Sequence, residues 1–223
     1  MNDESNEEKP SPVPLSPAAR RVLGVLVEKA KTTPDHYPLT LAGVIAGSNQ
    51  KSNRAPKMDL DEDDALLALD ELRKVGAARE IQGSGRSNKY RHTAYEWMDI
   101  DSPQSAIMTE LLLRGPQTAG EIRTRASRMS PFADLNATQT VLNALIEKGL
   151  VEALSPPGRG QTFAHTLYPP DERQYLDAKV AKQAASTAPA PESKNLVDQL
   201  LSRLDTVTER IDNLEKRLKE LES

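Results

Sequence analysis

The side chains best suited to contact a ligand are positive charges beside glycine-containing turns. Arg86, Lys89 and Arg91 lie in or just after one Gly-rich turn, and Arg159 follows the glycine of a second turn. An arginine next to glycine at a hairpin tip is a common contact to the minor groove or the DNA backbone. These four residues therefore predict contacts to nucleic-acid phosphates.

A second group of polar side chains lies further along the chain, on two consecutive helical segments. Its members are the arginines Arg123, Arg125 and Arg128 and the neutral residues Gln139, Thr140 and Asn143. Arginine suits phosphate oxygens, whereas Gln and Asn can bond the edge of adenine with two hydrogen bonds. Together these residues predict a modest surface for double-stranded DNA. The alternative interpretation, a polar helix face that is merely solvated, stays open.

No comparable pattern predicts catalysis, a cofactor or a metal. The chain has no cysteine and no Gly-x-Ser-x-Gly elbow, and its histidines, His36, His92 and His165, are too far apart for local chelation. Tyr90-x-His92 and Phe163-x-His165 are equivalent in an internal repeat, which favours a structural role for both histidines. We therefore expect a protein that is not an enzyme and needs no cofactor or metal.

The composition also bears on the compartment in which the protein acts. No apolar run approaches the ~20 residues that span a bilayer, and residues 1–14 are acidic and Pro-rich, unlike a signal peptide. We expect a cytoplasmic protein that does not associate with membranes.

The net charge of each predicted domain is close to zero. Residues 15–98 hold 13 Lys/Arg against 11 Asp/Glu, and residues 101–170 hold 6 Lys/Arg against 6 Asp/Glu. Neither segment is strongly basic, so DNA binding would depend on local geometry.

An internal repeat at an offset of 73 residues shows which elements position these side chains. The identical pairs are Leu69/Leu142, Leu72/Leu145, Gly76/Gly149, Gly85/Gly158, Arg86/Arg159, His92/His165, Thr93/Thr166 and Tyr95/Tyr168. Leu66, Leu69 and Leu72 have helical spacing, Gly76 and Gly149 suit a helix C-cap, and a turn then joins two extended segments. Each copy predicts a helix followed by a β-hairpin.

Two further helices precede each copy. Ser16-Pro17 predicts a capped helix start, followed by one apolar stripe. The residues of that stripe are Val22, Leu23, Leu26, Val27 and Ala30, and Ile107, Met108, Leu111 and Leu112 form the stripe of its counterpart after Ser102-Pro103. Short helices follow around residues 39–46 and 118–127. The order predicts a mainly α chain with small β-hairpins (α+β): two tandem winged-helix domains, residues 15–98 and 101–170.

Specific strings in both units resemble the YceH-like family of bacterial proteins. They are Thr32-Thr33-Pro34, Tyr37-Pro38-Leu39 and Asn49-Gln50-Lys51-Ser52-Asn53-Arg54 in the first unit, and Leu111 to Thr118 with Arg125, Arg128 and Met129 in the second. The resemblance covers roughly residues 15–168 and implies a tandem winged-helix protein of uncharacterised function. The Asn49–Arg54 string is open to a structural interpretation, in which its amides and Arg54 fix the connection between two helices.

The third helix of the first unit is a poor candidate for the major groove. It opens with Asp61-Glu62-Asp63-Asp64, and four carboxylates are repelled by phosphates although they stabilise a helix N-terminus. A solvated face or an interface to a basic partner is the better interpretation.

The C-terminal region predicts self-association. After a linker at residues 171–194, residues 195–223 carry apolar residues at alternating spacings of three and four, which is a heptad seam. These residues are Val197, Leu200, Leu204, Val207, Ile211, Leu214, Leu218 and Leu221. In a parallel pair Arg210 faces Glu215 of the second copy, which predicts a parallel homodimer. The leading hypothesis is a dimeric DNA-associated regulator; the alternative is an adaptor that binds protein partners without binding DNA.

Overall fold

The computed structural model describes residues 12–82, 88–158, 160–176, 178, 203, 207–208 and 211. Residues up to Asp177 form one compact unit, and a second unit begins at Ala178. The mixed α+β class predicted from the sequence is confirmed for these residues. It consists of helices with two small antiparallel sheets of three strands each.

The first repeat contains four helices and three strands. Its elements are α1 (Pro17–Thr32), β1 (Leu39–Thr40), α2 (Leu41–Ser48), α3 (Glu62–Lys74), β2 (Ala78–Gln82), β3 (Asn88–His92) and α4 (Ala94–Met98), with a 3₁₀ turn at Pro34–His36. The strand order is β1-β3-β2, and Leu39 pairs with Tyr90. Sequence periodicity did not predict β1, because a two-residue strand is too short to show an alternating pattern.

The second repeat follows the same order. Its elements are α5 (Ser102–Arg114), β4 (Gln117–Thr118), α6 (Ala119–Ala126), α7 (Leu135–Glu147), β5 (Val151–Ala153) and β6 (Thr162–His165). The sheet order β4-β6-β5 repeats that of the first sheet. Gly76 and Gly149 follow α3 and α7 with φ of 81° and 71°, so the predicted role of both glycines at the helix C-terminus is confirmed. Residues 170–176 are helical as well.

The helices α1 and α5 lie at the centre of a core that both repeats share. Every residue from Ala19 to Glu28 and from Gln104 to Leu113 is buried. The predicted stripe residues are buried, apart from the half-buried Ala30, but burial extends beyond the stripe, because each helix is covered by its own repeat on one side and by the other repeat on the opposite side. The sequence pattern shows how apolar one helix is, but it does not show which helices pack on it.

Two glycines allow the central helices to approach their neighbours closely. A Cβ atom at Gly24 of α1 would lie 2.9 Å from Leu113 Cδ2 of α5, and one at Gly47 of α2 would lie 2.5 Å from Val25 Cγ1 of α1. A contact of 2.5 Å is a steric clash in a close-packed interior. A side chain at either position would force a neighbouring core side chain to move, which sequence reasoning did not predict.

Candidate nucleic-acid interface

The hairpin of the first repeat carries a strip of positive charge on one face. Lys89 and Arg91 lie on β3, opposite Ile81 and Arg79 of β2. Side chains two residues apart on a strand share a face, so Arg79, Lys89 and Arg91 are on the same side of the sheet, while Tyr90 is buried on the other side. None of the three cations forms an ion pair with another described residue. Their charge is available to an external anion.

Sequence reasoning identified Lys89 and Arg91 but missed Arg79. The pairing register would have found it, since a hairpin that pairs Gln82 with Asn88 also pairs Arg79 with Arg91. Two like charges directly opposite each other are mutually unfavourable, and a phosphate between them would relieve the repulsion. Arg86 and Arg159, the two predicted turn arginines, lie outside the described residues.

The three arginines around α6 have different surroundings. Arg123 is exposed and has no ion-pair partner among the described residues. Arg125 donates a hydrogen bond to Gln117 Oε1 at 2.5 Å and lies 3.3 Å from Glu121. Arg128 is bound by two carboxylates, Glu28 and Glu110, at 2.5 and 2.9 Å. Arg123 is thus the member of the group best placed to contact a phosphate.

The middle of the exposed face of α7 is polar, while the apolar residues Leu135 and Ile146 are exposed near the two ends of the helix. Thr140 and Asn143 are exposed and Gln139 is half-buried, while Leu142 and Leu145 on the opposite side are in the core. Gln139 Nε2 donates to Asn143 Oδ1 at 3.0 Å, which aligns the two amides on one surface. The acidic residues of α7 lie at its two ends: Asp134 is the N-cap, and the exposed Glu147 is the last residue, one turn after Asn143. The part of the face from Asn136 to Asn143 carries no carboxylate and can approach a polyanion.

The equivalent face of α3 is acidic. Glu62, Asp63 and Asp64 occupy its first turn, and Asp61 caps it by accepting a hydrogen bond from Asp64 N at 2.9 Å. The predicted stabilisation of the helix start by these carboxylates agrees with this capping box. The two repeats therefore present chemically different surfaces on the same scaffold.

A buried network of charges joins the two repeats. Arg54 binds Glu28 through two hydrogen bonds of 2.5 and 3.2 Å, and its Nε donates to the Gly47 carbonyl at 3.0 Å. Both side chains are essentially inaccessible, at 0% and 1% exposure. Arg128 of the second repeat also binds Glu28. The network therefore ties α1 of the first repeat to the segment after α6 of the second.

Further contacts of this network lead from the second repeat back to the first. Glu110 of α5 accepts from Arg128, and the Nε atom of Arg114 lies 3.0 Å from the other Glu110 oxygen. Arg114 in turn donates to Asn53 Oδ1 at 2.7 Å, which belongs to the first repeat. Burial alone would raise the pKa of the Glu28 carboxyl. The hydrogen bonds and positive charges of Arg54, and to a smaller extent those of Arg128, hold this pKa below its ordinary value. Glu28 is therefore an anion in the folded protein.

Residues of the family-like strings contribute to this network. Asn53 and Arg54 belong to the Asn49–Arg54 string of the first repeat, and Arg128 belongs to the residues named in the second repeat. Asn49 bonds both the amide and the carbonyl of Leu60 at 2.8 Å, which closes the connection between α2 and α3. The structural interpretation of the Asn49–Arg54 string is thus confirmed for these residues. What the sequence did not show is that both strings meet at Glu28.

The two repeated histidines accept the same kind of backbone hydrogen bond in both copies. His92 Nδ1 accepts from Ala94 N at 3.3 Å, and His165 Nδ1 accepts from Leu167 N at 3.2 Å. His165 also stacks on the Tyr168 ring at 3.9 Å. Burial lowers the pKa of His92 to about 4 and that of His165 to about 3, so both rings are neutral at pH 7. This packing confirms the predicted structural role.

Among the described residues, no group of three or more histidine or acidic side chains could hold a metal ion. None of the described helices is long and apolar enough to span a bilayer.

Comparison with known proteins places this scaffold in a family. Residues 15–159 match the family described as "Protein of unknown function, DUF480". The chain is 70% identical over 190 residues to a UPF0502 protein of Rhodopirellula baltica, covering 84% of this chain and 80% of that protein. It is 51% identical to a UPF0502 protein of Geobacter metallireducens, and the match covers 66% of this chain and 69% of that protein. It is 41% identical to a UPF0502 protein of Geotalea daltonii, and that match covers 92% of this chain and 88% of the relative. The chain therefore belongs to the DUF480/UPF0502 family, with which the YceH-like resemblance agrees.

Proposed function

We propose that this protein is a non-enzymatic, tandem winged-helix protein that binds double-stranded DNA as a dimer and acts as a regulator. The order of elements supports the winged-helix assignment: each repeat has a helix, a short strand, two helices and a hairpin, and the short strand completes a three-stranded sheet. Residues 15–98 and 101–170 correspond to the two winged-helix units. In such folds the third helix enters the major groove and the hairpin contacts the backbone or minor groove.

The observation that carries the proposal is the polar face of α7, which has no carboxylate from Asn136 to Asn143. Its Gln139 and Asn143 amides are suited to base edges, and Arg123 on α6 is free to contact a phosphate. The basic strip of Arg79, Lys89 and Arg91 supplies further phosphate contacts from the first repeat. In this arrangement the second repeat reads the groove, and the first contributes its hairpin rather than its acidic α3.

The dimer is proposed from the heptad seam of residues 195–223. Of this seam, Val207 and Ile211 lie among the described residues, where both are helical and about half exposed. The other six seam residues lie outside the described residues. Two linked copies of a weak DNA-binding unit bind an extended site more tightly than one, because the second contact forms at a high effective concentration.

A salt-dependent titration tests DNA binding. Fluorescence anisotropy of a labelled 30-base-pair duplex is measured at 50 and 200 mM salt for the full chain and for the variant Lys89→Ala/Arg91→Ala. We expect affinity to fall steeply with salt, and the variant to bind more weakly with a salt slope smaller by about 2, one for each lost phosphate contact. No binding at 50 mM salt would refute the proposal.

The matched control is Arg73→Ala/Lys74→Ala, which removes the same charge from the end of α3. These two cations already pair with Glu80 and Asp70. The control should therefore keep the wild-type salt slope. An equal loss of binding in both variants would mean that only net charge matters. Selection from a random duplex library, repeated with Gln139→Ala/Asn143→Ala, then tests whether α7 reads bases.

The alternative function is that of a protein-interaction adaptor without DNA binding. The near-neutral charge of both repeats favours it, as does the acidic α3. The same titration separates the two functions, because an adaptor would give no anisotropy change with DNA at either salt concentration.

A further inference from the structure

We infer that the exposed face of α3 is a docking site for a basic amphipathic helix of a partner protein. The inference concerns a surface that the proposed DNA contacts do not use, and it holds whether or not α7 binds DNA.

Two adjacent leucines form the apolar centre of this face. Leu67 is 70% exposed and Leu66 is 39% exposed, whereas Leu69 and Leu72 of the same helix are buried. The sequence spacing grouped Leu66 with the two buried leucines, but the structure places it at the edge of the stripe, partly in solvent. Burial in the core therefore does not explain why residue Leu67 is apolar, and it explains the apolar Leu66 only in part.

Acidic side chains surround the two leucines. Glu62 and Asp63 lie one turn before them and Asp70 lies one turn after, all within the i±3 and i±4 positions that share a helix surface. Glu62 and Asp63 form no ion pair with any other described residue, whereas Asp70 pairs with Lys74 at 2.7 Å, so the unpaired negative charge lies on the N-terminal side of the leucines. An apolar centre with a polar rim is the usual anatomy of a protein interface. The negative rim selects a partner that is positively charged around its own apolar stripe.

The second repeat shows that the fold itself does not require this surface. At the offset of 73 residues, Leu66 and Leu67 correspond to Gln139 and Thr140 of α7, while Leu69 and Leu72 correspond to the leucines Leu142 and Leu145. The two core leucines thus match, whereas the two exposed leucines of α3 are replaced by polar residues in α7. The fold accepts polar residues at these two positions, so folding does not account for the exposed leucines of α3.

Charge decides between the occupants available to this face. DNA is repelled by the carboxylates. The C-terminal segment of this chain is a poor occupant because residues 171–223 carry 9 Lys/Arg against 11 Asp/Glu. A helix with leucines at i, i+3, i+4 and i+7 and lysines or arginines beside them complements both the leucines and the acidic rim.

Two synthetic helices test the inference on the full chain. One 18-residue labelled peptide contains only leucine and lysine in an amphipathic pattern, and the other has glutamate in place of every lysine. Anisotropy titrations should show binding of the lysine peptide alone. Leu66→Ser/Leu67→Ser should weaken this binding at least tenfold. Glu62→Gln/Asp63→Asn should weaken it several-fold and reduce its salt dependence.

The control is Leu135→Ser/Ile146→Ser, which removes two exposed apolar residues from α7. It should bind the lysine peptide like the wild type, and circular dichroism should show that all variants are folded. The inference is overturned if the lysine peptide does not bind, if Leu66→Ser/Leu67→Ser binds it as tightly as the wild type, or if the α7 control loses as much affinity as the α3 variant.

Discussion

Replacing Glu28 by glutamine should destabilise the protein more than any other single change in its charge network. Glu28 holds Arg54 and Arg128 at 2.5 Å each. Glutamine keeps the size of the side chain but removes the charge and one acceptor. Arg54, whose side chain is fully inaccessible, would then be a buried cation without a carboxylate.

The solvent exposure of each ion-pair partner determines how much free energy of unfolding its removal should cost. Removing one member of a buried ion pair costs about 3–5 kcal/mol, because the remaining charge stays desolvated. Glu28→Gln should therefore lower the free energy of unfolding by about 3–5 kcal/mol. Arg128→Met should cost less, on the order of 1–2 kcal/mol, because Arg128 is 34% exposed and both carboxylates keep a second arginine.

Urea denaturation followed by circular dichroism measures this difference. With a slope of about 2 kcal/mol per molar urea, the midpoint of Glu28→Gln should fall by about 1.5–2.5 M. The exposed pair Asp70–Lys74 provides the control, and Asp70→Asn should leave the midpoint almost unchanged. The reasoning is refuted if Glu28→Gln shifts the midpoint no further than Asp70→Asn. The double variant Glu28→Gln/Arg54→Met should lose less than the sum of its single variants, since it leaves no unpaired cation.

Three further predictions address packing, pH and assembly. Gly47→Ala should cost about 1–3 kcal/mol through its clash with Val25, whereas Gly120→Ala, where a Cβ meets nothing within 4 Å, should stabilise by about 0.5–1 kcal/mol in thermal unfolding. Because burial lowers the pKa of His92 and His165, the folded state binds fewer protons than the unfolded chain. Stability should therefore fall as pH drops below about 6.5, by about 2 kcal/mol per histidine from pH 7 to 5, and His165→Phe should reduce this dependence in denaturation at several pH values. Sedimentation at micromolar concentration should give a dimer of the 24.5 kDa chain, and a purely monomeric species would contradict the coiled-coil prediction.

The sequence alone was sufficient to predict the repeated elements. Apolar spacing, the N-cap at Ser16 and the glycines after α3 and α7 act within one or two helical turns, so they can be read from neighbouring residues. The same local information predicted the acidic start of α3, the polar face of α7 and the structural role of the paired histidines. It failed for β1 and β4, whose two residues depend on pairing with distant strands.

Only the tertiary structure decided which charges are available for binding. Arg123 and Arg128 look alike in the sequence, yet Arg128 is bound by Glu28 and Glu110, which are 100 and 18 residues away. Arg79 joined the basic strip only through its pairing with Arg91. The burial of α1 and α5 on all sides and the exposure of Leu67 likewise depend on which helices pack together. Such contacts join residues far apart in the chain, so local spacing determines the elements and long-range packing determines the surface they present.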